Sequence, residues 1–345
     1  MRFYNSQHQY YAGIDLHARK MYICVIDTQG EVVYHRDLIA DLDHLKRALD
    51  QFRPDVIVGV ECVFTWYWMS DYCHNNNIPF TLGHALYMKA IHGGKTKNDK
   101  IDSFKIATML RGGMFPMAYV YPEKMRAARD LLRRRQYLVH HQSELIGHIQ
   151  NTNTQYNNPP FTKNLVHPSN RKEISGRFEN CYVQRSVQID IDLLDFYHKL
   201  IRGIEYEITR NAKHHDPLAY TLLRTVPGIG PILSLVILYE IYDINRFEKV
   251  GNFISYSRLV KCSHESAGKK VKGGHNKIGN SHLKWAFSEA AVLFLRGNQL
   301  GKDLYQKLSS RYGKAKALSL LAQKLGRTVY FMLKRKEPFI EAKFY

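Results

Sequence analysis

The chain has 345 residues, of which 45% are hydrophobic and 23% charged, a balance that excludes disorder and fibrous repeats and leaves room for two or three cores. Its formal net charge is +19, yet residues 1–110 hold 12 basic and 12 acidic side chains, so the whole excess falls on residues 111–345. Such an excess favours a polyanionic partner, because Lys and Arg gain affinity by releasing counterions condensed on phosphates; the alternative is a basic solvated surface. No apolar run reaches the ~18–20 residues that span a bilayer, and the opening MRFYNSQHQYYAG lacks the apolar stretch of a signal peptide. A cytoplasmic, nucleoid-associated protein without a membrane partner is expected. The five cysteines are scattered with no C-x-x-C pair, which argues against structural zinc and disulfides.

In chain order, Tyr10–Leu16, Met21–Asp27 and Val32–His35 read as three meandering strands, with a turn at Thr28-Gln29-Gly30. Asp41–Phe52 has helical spacing through Leu42, Leu45, Ala48, Leu49 and Phe52, and Asp55–Cys62 (DVIVGVEC) reads as a buried strand. Trp66–Asn75 reads as a helix, Phe80–Gly83 as a strand and Asp102–Leu110 as a helix. Three meandering strands followed by α/β units give the element order of an RNase H-like (RuvC-like) α/β fold. From Pro122 to about Thr154 the pattern is helical and basic, including Arg133-Arg134-Arg135; Asn157–Arg185 reads as an irregular insert, and Ile189–His214 as a second long helix. Together these suggest a helical linker or coiled-coil arm. Leu222–Ile241 then gives two apolar helices joined by Pro227-Gly228-Ile229-Gly230-Pro231. Such a turn either presents backbone N–H groups to a phosphate, as a helix-hairpin-helix does, or is purely structural. Phe253–Lys284 is glycine-rich and basic, and Leu283–Arg296 and Ala315–Lys334 read as helices. The expected domains are 1–112, 113–218 and a mainly α C-terminal domain, 219–345.

Four carboxylates stand out. Asp15 ends the first strand in GIDLH and Glu61 ends the buried strand, so neighbouring strands of one sheet would bring them together. Asp99 and Asp102, in KTKNDKID, share one face of a helix start at i, i+3 spacing. Hard carboxylate oxygens suit Mg²⁺ or Mn²⁺, and a metal pair can clamp the attacking and leaving oxygens of a phosphodiester. Taken singly, each acid also has a bland role: a strand-end cap, a turn residue, or a helix N-terminal acid favoured by the dipole.

The ordered set GIDLH, GVEC, KTKNDKID, PGIGPILS and RLVKCSHESAGKKVKGGHNKIGNSHLKWAFSEAA resembles the transposases of insertion-sequence family 110, relatives of Piv-type DNA invertases. The resemblance covers roughly residues 10–112 and 219–297. It implies a DEDD metal site at Asp15, Glu61, Asp99 and Asp102 and a serine nucleophile in the C-terminal domain. It also implies recombination of donor and target DNA guided by a structured RNA from the element itself.

Ser266 is the best match to that serine, with Ser263 as the alternative. The stretch departs from the family pattern, since Arg258-Leu259-Val260-Lys261 stands where relatives have Gly-Leu-x-Pro, and Ala267 separates Ser266 from Gly268. From Ser257 to Lys284 there are seven basic residues and one acid, Glu265. A hydroxyl needs such an electropositive field, a metal or a base to become a nucleophile. Arg258, Lys261, Lys269, Lys270, Lys272 and Lys277 are therefore the expected nucleic-acid contacts. Asn280 and His282 either bind phosphate with them or, in the case of Asn280, cap the next helix. The expected protein is a transposase that cuts and rejoins DNA, using the metal acids and Ser266 as one composite site, in a dimer or tetramer because recombination joins two DNA sites. Its rivals are a metal-only nuclease or junction resolvase, and a non-catalytic nucleic-acid-binding protein.

Overall fold

A computed structural model describes residues 2–91, 98–211, 216–260, 264–266, 269–271 and 278–344, with backbone alone for 211, 264–266 and 269–271. The chain divides into two compact units, Met1–Lys124 and Met125–Tyr345.

The first unit is built on a mixed seven-stranded sheet in the order β1-β7-β6-β5-β2-β3-β4. Its strands are β1 (Phe3–Tyr4), β2 (Tyr10–Leu16), β3 (Lys20–Asp27), β4 (Val32–Ile39), β5 (Val56–Glu61), β6 (Phe80–Gly83) and β7 (Phe115–Ala118). The meander β2-β3-β4 is antiparallel, while β5 runs parallel to β2 and β6 parallel to β5. One face buries Leu45, Ala48 and Leu49 of α1 (Leu42–Asp50) and Met69 and Cys73 of α2 (Tyr67–Asn75) against alternate sheet residues such as Ile14, Val58 and Val60. The other face packs Met88 of α3 (Ala85–Ile91) and Ile106, Ala107, Met109 and Leu110 of α4 (Asp99–Arg111) against Tyr11, Cys24 and Ile57. The sheet thus buries both faces, which is why β5 reads as a continuous apolar run rather than an alternating one. This is a mixed α/β sheet consistent with an RNase H-like domain. Three short elements escaped the sequence reading: β1, α3 and β7. Because β7 pairs with both β1 and β6, the sheet extends past residue 112.

The close seat of α4 depends on two glycines. Gly13 and Gly59 lie side by side in the β2/β5 register. A Cβ on Gly13 would stand 2.3 Å from Ala107 N and Ser103 O, and one on Gly59 would stand 2.7 Å from a methyl carbon of Leu110. At Gly13 only a bare Cα lets the helix backbone come this near the sheet, while at Gly59 it leaves room for the Leu110 side chain.

The second unit is helical. α5 (Glu123–Gln155) and α6 (Cys181–Asn211) are the two long helices, and the intervening segment is compact rather than a loose insert. Its Leu165, Ile174 and Phe178 join Ile149 of α5 and Val187, Ile191 and Leu194 of α6 in one apolar cluster. The buried Arg171 donates to the carbonyls of Leu165 and Val166 at 2.7 Å each. α6 starts at Cys181, eight residues before the apolar periodicity becomes visible at Ile189, because its first turns are polar on their exposed side.

The main core of this unit surrounds α8 (Pro231–Ile241), buried from Leu233 to Ile241, with α7 (Pro217–Arg224), α9 (Val250–Tyr256), α10 (Ser281–Phe294) and α12 (Lys314–Arg335). A helix hydrophobic all round must lie inside. α9 and α11 (Gln299–Tyr312) are further helices that the sequence reading passed over. In the Pro227–Pro231 turn, Gly228 has φ +83°, and a Cβ there would stand 2.5 Å from Phe294 N. Packing against α10 alone therefore requires that glycine. Among the described residues, no helix is long and apolar enough to cross a membrane.

Candidate metal centre

β2 and β5 are parallel, with Ile14 opposite Val60, so the next residue of each strand places Asp15 and Glu61 together at the carboxyl edge of the sheet. That edge is where α/β folds gather ligands. α4 delivers two more acids to the same edge. Asn98 caps it, its side chain accepting from Ile101 N at 2.8 Å, which fixes Asp99 and Asp102 in the first turn. Acids at a helix start are favoured by the macrodipole and share a face at i, i+3. A further anchor comes from β4: His35 Nε2 donates to the Lys100 carbonyl at 3.0 Å and lies 3.2 Å from Ser103 Oγ. Burial holds the His35 imidazole below its ordinary pKa, so it serves as a neutral donor tying the first turn of α4 to the sheet.

His17 completes the group. It follows β2 two residues after Asp15, and its backbone N–H donates to the Lys20 carbonyl at 2.8 Å, closing the turn into β3. Its Nε2 lies 3.5 Å from Asp15 Oδ2 and 3.5 Å from Asp99 Oδ1. Asp15, His17 and Asp99 each offer a ligand atom within 4.8 Å of the others. The motif GIDLH contains this histidine, and the alternation of an extended chain puts residues 15 and 17 on one side, a signal that the acid pattern alone does not include.

Asp15 is 17% exposed and its carboxyl is pushed above the usual range, first by burial and then by the charges of Asp99, Asp102 and Glu61, against which His17 acts in the opposite sense. Asp102 is turned partly toward Lys105, whose Nζ stands 3.3 Å from its Oδ1. Negative charge thus accumulates around Asp15 beyond what His17 and Lys105 offset. A divalent cation is the natural complement to such a donor set, so the residues present fit a hard metal ion.

The candidate residues of the second unit are spread differently. β8 (His264–Ser266) and β9 (Lys269–Val271) form an antiparallel hairpin with Ser266 in register with Lys269. Ser263, Lys261, Lys272 and Lys277 lie outside the described residues, as do the side chains of Ser266, Lys269 and Lys270. Arg258 sits at φ +54°, and its Nε donates to the Ile278 carbonyl at 3.1 Å, drawing the two ends of the segment together. Asn280 is a helix cap: its Oδ1 accepts from His282 N and Leu283 N, and its Nδ2 donates to Glu240 Oε2 at 2.7 Å. His282 is half-buried and its Nδ1 is bonded to Gln136 Oε1. These contacts leave the amide of Asn280 facing the interior rather than a phosphate.

Part of the basic charge is likewise internal. Glu240, 2% exposed, receives Arg129 Nε at 3.0 Å and Arg133 Nε at 2.7 Å. Burial by itself would raise its pKa, but the hydrogen bond from Arg133, the charges of Arg129 and Arg133 and the Asn280 amide bring it down to about 2. Arg135 is paired with Glu205 at 2.6 Å. Two of the three arginines in the Arg133–Arg135 run therefore hold helices together.

An acidic group at the edge of a mixed α/β sheet, followed by a helical unit, is consistent with a DEDD transposase. Residues 12–158 match the DEDD transposase model of the IS110 type, and residues 220–306 match the model described as the transposase IS116/IS110/IS902 family. The chain is 23% identical to the transposase for insertion sequence element IS1111A of Coxiella burnetii, over 95% of this chain and 90% of that protein. It is also 23% identical to transposase y4qE of Sinorhizobium fredii, over 94% of this chain and 81% of that protein. The chain belongs to the IS110 family of transposases.

Proposed function

We propose that this transposase cuts and rejoins DNA at the ends of its element with Asp15, Glu61, Asp99 and Asp102 holding Mg²⁺ or Mn²⁺ and with Ser266 as the nucleophile. The observation that carries the reading is the gathering of Asp15, Asp99 and His17 at the edge where Glu61 ends β5. A divalent ion bound there would supply charge to the phosphate oxygens and to the oxygen that departs. The chain's own part is to orient these acids: β2 and β5 fix Asp15 and Glu61, and the Asn98 cap with His35 fixes Asp99 and Asp102.

In the proposed step the Ser266 Oγ–P bond forms as the P–O bond to one strand end breaks. The serine proton leaves with the departing oxygen, and the phosphodiester energy is kept in the covalent link. The seven cations between Ser257 and Lys284 support this reading by stabilising both the alkoxide and the developing phosphorane. Arg258, Lys261, Lys269, Lys270, Lys272 and Lys277 bind the nucleic-acid backbone, and the Pro227–Pro231 turn acts as a helix-hairpin-helix contact to phosphate. The metal domain is the first unit, which carries β7 beyond residue 112, and the second unit supplies a helical arm to about residue 218 and a serine-bearing domain at 219–345. A guide RNA from the element selects the DNA, and a dimer or tetramer joins the two sites.

Denaturing electrophoresis of a reaction on a nicked suicide substrate, followed by peptide mapping, tests the chemistry. A protein–DNA adduct at Ser266 is expected. Free ends with no adduct would discard covalent catalysis in favour of a metal-only nuclease, and an adduct at Ser263 would move the residue. Sequencing RNA that co-purifies with the protein tests the guide.

A further inference from the structure

We infer that His17 is itself a metal ligand, so that the centre is a mixed nitrogen and oxygen site which favours Mn²⁺ over Mg²⁺ more strongly than four carboxylates alone would. The inference rests on the proposal that the acids bind a divalent ion, and it adds a donor that the DEDD pattern does not contain.

His17 Nε2 is equidistant, at 3.5 Å, from one oxygen of Asp15 and one of Asp99. Both separations are longer than a good charge-assisted hydrogen bond, which sits near 2.7–2.9 Å. The three ligand atoms are instead close enough to share one ion, all within 4.8 Å of one another. The position is imposed by the fold. Residues 15 and 17 project to one side of the strand end, and the His17 N–H to Lys20 carbonyl bond closes the turn beneath them. The imidazole is 55% exposed, so it is not a core histidine held there by packing.

Imidazole is a borderline donor that binds Mn²⁺ and the later transition metals more readily than Mg²⁺, which prefers an all-oxygen shell and keeps its water. The alternative role for His17 is a simple counter-charge between two carboxylates. The two roles predict opposite effects of removing it. A lost ligand weakens binding, whereas a lost counter-charge leaves a more negative site that binds cations as well or better.

The test uses the full-length protein with Mn²⁺ as the probe, read by pulsed electron paramagnetic resonance for ¹⁴N coupling and by calorimetric titration with Mn²⁺ and with Mg²⁺. Wild-type protein should show a directly coordinated nitrogen that disappears in His17→Ala. The Mn²⁺ dissociation constant of that variant should rise by at least the ~10-fold that even outer-shell partners of a metal ligand supply. Mg²⁺ affinity should change less. His17→Asp should restore Mn²⁺ binding without the nitrogen signal. Bound Mn²⁺ lacking ¹⁴N coupling, a coupling that persists in His17→Ala, or unchanged or tighter Mn²⁺ binding in His17→Ala would each overturn the assignment while leaving the acid centre intact. Mn²⁺ that fails to bind wild type, with no difference from Asp15→Asn, would overturn both.

Discussion

Replacing Gly13 with alanine adds one carbon at the point where α4 lies on the sheet, and its consequences can be worked from the geometry. The new Cβ would stand 2.3 Å from both Ala107 N and Ser103 O. Those are backbone atoms that no rotamer change can move. Restoring ordinary contact near 3.5 Å requires α4 to lift by about 1 Å. Overpacking of this kind costs about 1–3 kcal/mol, which lowers the melting temperature by several degrees. The functional loss should be larger. Asp99 and Asp102 ride on the first turn of α4 while Asp15 stays on β2, and a 1 Å misplacement of reacting groups can cost on the order of 100-fold in rate. The assay pairs thermal unfolding with strand cleavage on a suicide substrate, measured below the melting transition. Gly147→Ala serves as the control: Gly147 lies within α5 with nothing inside 4 Å of its would-be Cβ, so alanine there should be neutral or stabilise by about 0.5–1 kcal/mol. Wild-type cleavage and stability in Gly13→Ala would refute the claim that this glycine sets the distance between the acids.

Three further outcomes follow from the same structure. Asp15→Ala or Glu61→Ala should abolish recombination while leaving DNA affinity within a few-fold of wild type in a filter or mobility assay, because backbone contacts come from elsewhere; recombination at the wild-type rate in either variant would remove it from the centre. Glu240 has a folded pKa of about 2 against an ordinary 4.5, so its contribution to stability is complete above about pH 4.5 and is lost as pH falls toward 2. Glu240→Gln should cost about 3–5 kcal/mol at neutral pH by removing the buried carboxylate that pairs with Arg129 and Arg133, and urea unfolding of the variant should depend less on pH in that window; an unchanged pH slope would contradict the ion-pair assignment. Affinity for duplex DNA should fall steeply with salt, by about 0.9 log units per log unit of salt for each phosphate neutralised, and a flat salt profile would mean that the excess charge beyond residue 110 does not contact the backbone.

The sequence by itself determined the longer elements of the first unit, all but the short β1, α3 and β7, because periodicity reports which face of each segment is buried. β2, β5 and β6 lie where the apolar runs put them, with Asp15 next to last in β2 and Glu61 last in β5. Asp99 and Asp102 share the first turn of α4 as their i, i+3 spacing suggests, although the helix begins at Asp99 behind an Asn98 cap, three residues before the apolar periodicity at Asp102–Leu110. What the sequence could not decide were pairings between segments far apart in the chain. That His35 on β4 grips α4 sixty-five residues later and that Gly13 and Gly59 form its seat are properties of two surfaces meeting, and neither leaves a local pattern. The same holds for Arg129 and Arg133, which read as free positive charge until Glu240, over a hundred residues on, is found between them. His17 is the intermediate case: alternation placed it on the side of Asp15, but its approach to Asp99 exists only because α4 is held close to β2. Local burial is written in the order of residues, whereas the meeting of charges depends on how separate elements pack, and that was decided by the tertiary structure.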